Sequence, residues 1–268
     1  MKIYLLTHER ELHKKSNTGR LVLDIFEKAG LTRYLISRAR MTGLALDKVG
    51  GSAAAFDNLY LPQLHRHGFV APVYASGESG LGAPGGYVME SLPGLYDHVL
   101  VLDFKSLYPS IMRTFRIDPM GLAEGLASED EAERVPGFNQ AYYHRSRHIL
   151  PGLLEGLWAE RDIAKAQHNK ALSQAIKIIM NSFYGVLGSN LCRFYDQRLS
   201  GSITLRGHQI LTESRDYIQQ NGYTVIYGDT DSLFVWLNRQ CQPGDADRLG
   251  QGLAEQLNHW WRDRLRQE

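Results

Sequence analysis

Three aspartates stand where carboxylates could hold a metal ion. Asp229 and Asp231 flank Thr230 in a Gly-Asp-Thr-Asp run between two apolar stretches, which predicts a β-hairpin over residues 224–236. In extended chain, residues two apart point to the same side, and two neighbouring carboxylates repel unless a cation lies between them. Carboxylate oxygens suit Mg²⁺. An exposed acidic turn would give the same pattern, because Asp and Gly are ordinary turn residues.

Asp103 is the third of these aspartates. It ends a run of Val and Leu over residues 99–102 that predicts a buried strand, and a helix is expected to open near Pro109. A carboxylate at the end of a strand is either a catalytic position or a helix cap. Together with Asp229 and Asp231 it could share two divalent cations, the arrangement that supports in-line phosphoryl displacement.

Two predicted helices, over residues 151–167 and 173–187, carry cations and small residues. On the first, Arg161 and Lys165 lie four residues apart on one face. One stripe of the second consists of Lys177, Asn181, Tyr184 and Gly188. Asn169-Lys170 predicts a turn between them and hence an antiparallel pair. Two amphipathic helices with solvated lysines remain the alternative interpretation.

These helices suggest how a nucleotide could be held. Arg and Lys side chains suit triphosphate oxygens. Tyr184 with Gly185 would form a flat floor on which a base or sugar could lie. The three aspartates, the basic side chains of the two helices and the flat surface at Tyr184 and Gly185 together predict a nucleotidyl transferase that uses a nucleoside triphosphate.

Composition restricts the protein class. The chain has 268 residues, 43% hydrophobic and 22% charged, as in ordinary globular proteins. Its formal net charge of +1 predicts no overall basic field, so any nucleic-acid site must come from local patches. The two cysteines argue for a reducing compartment and against disulfides or zinc. We expect no membrane span and no signal peptide, and therefore a cytoplasmic location.

Periodicity predicts the elements that position these residues. Helices are expected within residues 21–42, divided at Gly30, and over residues 53–65, 200–219 and 245–266. Residues 75–86 predict a glycine-rich loop, and residues 121–150 a polar insertion with a solvated acidic run.

Three stretches carry a family resemblance. Asp-Phe-Lys-Ser-Leu-Tyr-Pro-Ser-Ile at residues 103–111 resembles motif A of family B DNA polymerases. Residues 177–185 resemble motif B, and Tyr-Gly-Asp-Thr-Asp-Ser at 227–232 resembles motif C. The motifs occur in the family's order, and from about residue 21 onward the chain is similar to the bacterial polymerase II group. The resemblance implies an α+β fold with a palm of antiparallel sheet and helices, helical-hairpin fingers, and no exonuclease or thumb domain.

The resemblance also implies an activity, template-directed DNA synthesis, in which a primer 3′-hydroxyl attacks the α-phosphorus of a dNTP and pyrophosphate leaves. The implied cofactor is a pair of Mg²⁺ ions, with Mn²⁺ as a substitute. The implied partners are primer–template DNA, a dNTP and, for a full-length member, a sliding clamp. The implied location is nucleoid-associated in a bacterial cytoplasm.

Residue roles follow from the same resemblance. The implied catalytic and metal-binding residues are Asp103, Asp229, Asp231 and the backbone at Phe104. The implied nucleotide-binding residues are Ser106, Leu107, Tyr108, Arg161, Lys165, Lys177 and Asn181. Tyr108 would pack under the sugar and exclude a 2′-hydroxyl. Tyr184 and Gly185 would form the surface on which the nascent base pair lies.

The expected organisation has five parts: a leader (1–20), helices with the glycine-rich loop (21–96), the first part of the palm with the polar insertion (97–150), fingers (151–190) and the second part of the palm (191–268). The leader resembles a segment of DTW-domain tRNA aminocarboxypropyltransferases. We expect a fragment with weak or no processive synthesis, because phosphate contacts supply much of DNA affinity. Alternatives are a non-catalytic nucleotide-binding remnant and an RNA-modifying, S-adenosylmethionine-dependent transferase.

Overall fold

The computed structural model describes residues 19–73, 84–237 and 245–266. The predicted leader and most of the predicted glycine-rich loop lie outside these residues. Contacts divide the chain into two compact units. Of the described residues, 19–69 and 153–183 form the first unit, and 70–73, 84–152, 184–237 and 245–266 form the second. The described residues combine helices with two small antiparallel sheets, so the fold is mixed α/β.

The first unit is helical. Residues 19–28 form α1, and α2 (Leu31–Thr42) and α3 (Ser52–Arg66) follow. Gly30 separates α1 from α2, as predicted, with a φ of 63° that a glycine adopts without strain. The core contains stacked rings of Phe56 and Tyr60, whose centroids are 5.1 Å apart. Phe183 meets Phe56 edge-on at 5.3 Å, which joins α3 to the helix that carries the predicted motif B.

The two helices predicted over residues 151–167 and 173–187 are present. They are α6 (Leu150–Ala166) and α7 (Lys170–Leu187). His168, with a φ of 55°, lies in the connection between them. The Asn169 side-chain oxygen accepts a hydrogen bond from the Leu172 N–H at 3.1 Å. This cap satisfies one of the free N–H groups at a helix start, and it explains why α7 begins before the predicted residue 173.

A three-stranded sheet organises the second unit. Its strands are β1 (Val99–Asp103), β4 (Thr224–Asp229) and β5 (Ser232–Trp236), in the order β1-β5-β4 with antiparallel pairing. The predicted hairpin over 224–236 is therefore confirmed. One sheet face is buried with residues of α8 (Gln197–Gln220) and α9 (Asp245–Leu265), and its core includes Leu211, Val225, Leu233, Val235 and Leu253.

The prediction that the strand ending at Asp103 is buried was wrong. β1 lies at the edge of the sheet and pairs only with β5 among the named strands, and Val101 is 56% exposed. Apolar side chains on β1 thus alternate between the core and the open face, as on any strand with one covered face.

The prediction of a polar insertion was also wrong in part. After α4 (Leu107–Thr114), this segment forms α5 (Pro119–Ala127), a 3₁₀ turn (Glu131–Glu133) and a hairpin of β2 (Arg134–Pro136) with β3 (Tyr142–His144). Within residues 121–150, Leu122, Ala141 and Tyr143 are buried. Asp118, which is fully buried, accepts hydrogen bonds from the N–H groups of Gly121 and Leu150 at 2.6 and 2.7 Å. Buried hydrophobic residues and a capping carboxylate make the segment part of the core.

Helix α9 is fastened to α8 by polar contacts. The Trp261 indole N–H donates to the Ser214 hydroxyl at 2.8 Å, and Arg264 pairs with Glu213 at 2.7 Å. Within the described part of the chain, no helix has the length and apolar character needed to cross a bilayer.

Candidate active site

A row of polar side chains crosses the open end of the sheet. Asp103 of β1 pairs in register with Ser232 of β5, and Ser232 pairs on its other side with Asp229 of β4. Directly paired residues of antiparallel strands point to the same face, so this register places both carboxylates on one face with Ser232 between them. The Ser232 hydroxyl donates a hydrogen bond to Asp103 Oδ1 at 3.0 Å. Sequence reasoning gave Ser232 no role, because only the register reveals its position.

Asp231 lies in the turn between β4 and β5, so alternation along an extended chain does not relate it to Asp229. That reasoning was wrong because Thr230 has a φ of 52°, in the left-handed region, and the chain reverses there. The Asp231 N–H donates to the Asp229 carbonyl at 2.6 Å. The Asp231 carbonyl accepts the Phe104 N–H at 2.8 Å, which ties the turn to the residue after Asp103.

The electrostatics show that these carboxylates interact. Burial raises the pKa of Asp231, and the carboxylates of Asp103 and, less strongly, Asp229 raise it further. Repulsion of this kind is relieved by a cation between the carboxylates, and the all-oxygen donor set fits Mg²⁺. Among the residues that the structure describes, no three His, Cys, Asp or Glu side chains already form a closed metal site. Mg²⁺ is usually held by one or two carboxylates plus substrate phosphates, so a closed site is not required.

Two predicted nucleotide-site tyrosines are brought into contact. The rings of Tyr108, on α4, and Tyr184, in the last turn of α7, have centroids 4.5 Å apart. Gly207 of α8 lies under Tyr108, since a Cβ added there would be 3.3 Å from the ring. Burial, then the charges of Tyr184, Asp231 and Asp229, raises the pKa of Tyr108 to about 12. Tyr108 is therefore a neutral phenol that lies within electrostatic reach of the carboxylates.

The residues between Asp103 and Tyr108 differ in exposure. The Leu107 side chain is buried, so this residue could meet a nucleotide only through its backbone. Ser106 adopts a φ of 51° just before α4 begins. The predicted roles of Phe104, Ser106 and Leu107 stay predictions.

The predicted stripe on α7 is largely open. Of its four members, Lys177, Asn181 and Gly188 are exposed and Tyr184 is half-buried, and Gly188 comes just after the last residue of α7. Gly185, predicted to form the floor with Tyr184, is exposed as well. A Cβ added at Gly185 would meet no atom within 4 Å. No packing reason within the described chain therefore requires a glycine at this position.

Arg161 and Lys165, both on α6 in the first unit, have different surroundings. The Nε of Arg161 is buried and has no hydrogen-bond partner among the described residues. Lys165 pairs with Asp162 at 3.3 Å across an exposed turn of helix. A pair of this kind contributes little and is easily exchanged for another anion. Their role toward a triphosphate stays a prediction.

Comparison with known proteins identifies the family. A model of DNA polymerase family B matches residues 49–267. The chain belongs to DNA polymerase family B. It is 52% identical over 248 residues to DNA polymerase II of Escherichia coli (strain K12), covering 92% of this chain and 32% of that protein. It is 29% identical to a DNA polymerase of Archaeoglobus fulgidus, covering 88% of this chain and 32% of that protein.

A solved structure agrees with this assignment. The family B DNA polymerase of Pyrobaculum calidifontis matches with a TM-score of 0.65 and 31% identity, covering 87% of this chain and 32% of that one. The chain thus spans about a third of the length of these relatives. The resemblance to family B polymerases, including the bacterial polymerase II group, is confirmed. The predicted likeness of residues 1–20 falls mainly on residues outside the described part of the chain.

Proposed function

We propose that the chain forms the catalytic core of a DNA-directed DNA polymerase. It would join the α-phosphorus of a dNTP to the 3′-oxygen of a primer, with loss of the hydroxyl proton and release of pyrophosphate. The observation that carries this proposal is the carboxylate row, in which Asp103, Ser232 and Asp229 lie in register beside the turn residue Asp231. Family membership supports the same reaction.

The carboxylates would hold two Mg²⁺ ions, or Mn²⁺ in their place. When bound, such ions neutralise phosphate charge and stabilise both the attacking and the leaving oxygen. Asp103 and Asp231 are the proposed principal ligands, with Asp229 and the backbone at Phe104 as supporting groups. The Ser232 hydroxyl orients the Asp103 carboxylate, and the Phe104 N–H holds the turn at Asp231. Fixed ligands of this kind need little reorganisation when charge develops.

The nucleotide would be held by groups of different character. The proposed triphosphate contacts are the backbone at Ser106 and Leu107 and the side chains of Arg161, Lys165, Lys177 and Asn181. The Tyr108 ring, supported by Tyr184 and by the close approach of Gly207, would lie under the sugar and exclude a 2′-hydroxyl. Tyr184 and Gly185 would support the nascent base pair, because an aromatic face accepts any base and glycine permits close approach.

We further propose that the sheet with its helices is the palm and that α6 and α7 form the fingers. Primer–template DNA is the proposed macromolecular partner, a sliding clamp is a further one, and a bacterial nucleoid is the proposed location. Processive synthesis by this chain is expected to be weak. Phosphate contacts supply much of DNA affinity, and the formal net charge is only +1.

Primer extension tests the proposal. The chain is incubated with a primed template, Mg²⁺ and each dNTP in turn, and single-nucleotide incorporation is compared with long-product synthesis. We expect template-directed incorporation of the complementary nucleotide and few long products. Asp231→Ala should abolish incorporation, whereas Asp247→Ala, at an exposed position of α9, should not.

Three results would count against the proposal. Equal incorporation by Asp231→Ala and the parent would remove the site assignment. Abundant long products would contradict the expected weak processivity. Mg²⁺-dependent dNTP binding without incorporation would favour the nucleotide-binding remnant.

A further inference from the structure

A segment before β1 adds an outer edge to the hairpin that carries Asp229 and Asp231. The N–H of Met89 donates to the Gly228 carbonyl at 2.8 Å, and the N–H of Leu92 donates to the Ile226 carbonyl at 2.9 Å. Val88 forms an antiparallel bridge with Asp229. We call residues 85–89 the edge segment. It follows the free edge of β4 as far as the carboxylate, so its position and that of Asp229 are coupled through backbone hydrogen bonds.

The edge segment also holds the turn. The Thr230 N–H donates to the Tyr87 carbonyl at 2.8 Å, and the Thr230 side chain occupies the space that a Cβ at Gly86 would need. A positive φ is unfavourable for a β-branched residue such as Thr230 and persists only when the surrounding structure imposes it. The Thr230 hydroxyl in turn donates to Asp229 Oδ1 at 2.8 Å. The conformation of the turn therefore depends on Gly86 and Tyr87.

His208 fastens the edge segment to the core. Its Nε2 lies 2.8 Å from the Gly85 carbonyl oxygen, and its ring lies 5.4 Å from that of Tyr87. A carbonyl oxygen can only accept, so Nε2 carries the hydrogen and donates it. His208 sits on α8, whose Ile203 and Leu211 are fully buried, so its backbone has a rigid support. It also follows Gly207, which lies under Tyr108.

We propose that His208 is a positioning residue for the polymerase reaction. By donating to Gly85 and packing on Tyr87, it holds the edge segment against Thr230 and thereby fixes the geometry of Asp229 and Asp231. His208 touches neither nucleotide nor metal in this role. The effect on rate rests on the proposed function, whereas the effect on the turn does not.

The test compares His208→Ala with His208→Gln in the full chain. A glutamine amide N–H reaches about as far as Nε2 and can donate to the same carbonyl, whereas alanine cannot. Loss of a group that orients metal ligands typically costs 10- to 100-fold in activity. We expect His208→Ala to lower kcat about 10- to 100-fold with little change in the KM for dNTP. His208→Gln should recover most of that loss. His259→Ala, which removes an exposed histidine of α9, is the matched control.

Amide hydrogen exchange supplies a readout that needs no catalysis. The N–H groups of Met89 and Thr230 should exchange faster in His208→Ala than in the parent or in His208→Gln, and His259→Ala should match the parent. If the parent incorporates no nucleotide but this exchange pattern holds, the proposed function fails, while the finding that His208 holds the edge segment and the turn stands. If incorporation is normal and all variants exchange alike, the positioning role is refuted.

A second variant covers the case in which His208→Ala unfolds. Gly86→Ala acts on the same contact from the other side and leaves His208 intact, since its Cβ would meet the Thr230 side chain. It should lower kcat and increase exchange at Thr230. Parent-like kcat and exchange in Gly86→Ala, or a His208→Gln variant as slow as His208→Ala, would overturn the proposal.

Discussion

Gly185 offers a substitution that should separate stability from activity. It lies in α7 at an exposed position, and a Cβ added there would meet no atom within 4 Å. Glycine at this position therefore makes no packing contact that folding needs, and its low helix propensity makes the folded protein less stable than alanine would. The proposed reason for glycine is functional, namely that the nascent base pair comes close to the helix backbone.

The expected magnitudes have opposite signs. Gly185→Ala should stabilise the protein by about 0.8 kcal/mol, the usual difference in helix propensity. For a chain of this size that raises Tm by roughly 2 to 3 °C. If a base pair packs against the bare backbone, an added methyl group should cost about 1 to 3 kcal/mol of overpacking. This corresponds to roughly a 5- to 150-fold lower kcat/KM for the complementary dNTP.

Thermal unfolding and single-nucleotide incorporation measure the two effects on the same preparations. Gly156→Ala is the matched control, because Gly156 is also an exposed glycine inside a helix and its added Cβ would likewise meet nothing within 4 Å. It should gain similar stability and keep its activity. A Gly185→Ala variant that is more stable and fully active would refute the proposed floor. One that is less stable would refute the structural premise.

Further predictions concern individual side chains. Tyr108→Ala should raise ribonucleotide incorporation relative to deoxynucleotide on the order of 10- to 200-fold, as for a hydrophobic pocket that loses a steric wall, whereas Tyr108→Phe should keep the selection. Because the pKa of Tyr108 is raised to about 12, its ionisation should not appear in rate profiles below that pH. Lys177→Ala should raise the KM for dNTP about 10-fold or more through loss of a charged hydrogen bond, while Lys48→Ala, at an exposed position, should not. Burial, and after it the Asp103 carboxylate, raise the pKa of Asp231 above its ordinary value of 3.8. Protonated Asp231 therefore contributes stability to the folded protein that is fully present below pH 3.8 and is lost as the pH rises through the folded-state pKa. In EDTA, Asp231→Asn should therefore flatten the dependence of Tm on pH above 3.8, and in a separate assay with Mg²⁺ it should abolish incorporation; a Tm profile that falls as steeply as the parent's would contradict this.

Local pattern in the sequence predicted a large part of the structure. The hairpin over 224–236, the separation of α1 from α2 at Gly30, and α3, α6, α7, α8 and α9 all follow from periodicity and turn residues within short windows. The family assignment follows from three motifs, each confined to nine residues or fewer. Short-range signals suffice in these cases because helices and tight hairpins close their hydrogen bonds locally.

Predictions from the sequence pattern were wrong where tertiary packing determined the burial or the backbone conformation of a segment. Val and Leu in β1 predicted burial, but an edge strand with one covered face leaves alternate side chains open. The supposed polar insertion supplies core residues such as Tyr143, because buried positions in short elements leave too little periodicity to detect. Thr230 carried no local signal for a positive φ, since a β-branched residue adopts it only under tertiary restraint.

The sequence by itself determined which residues could do the chemistry, because carboxylate, aromatic and glycine positions are read directly from short motifs. Only the tertiary structure decided how they meet. Ser232 joins Asp103 across 129 residues, and His208 reaches Gly85 across 123. Strand register and side-chain packing between distant segments depend on the shape of the whole core, and no short window of sequence contains that information.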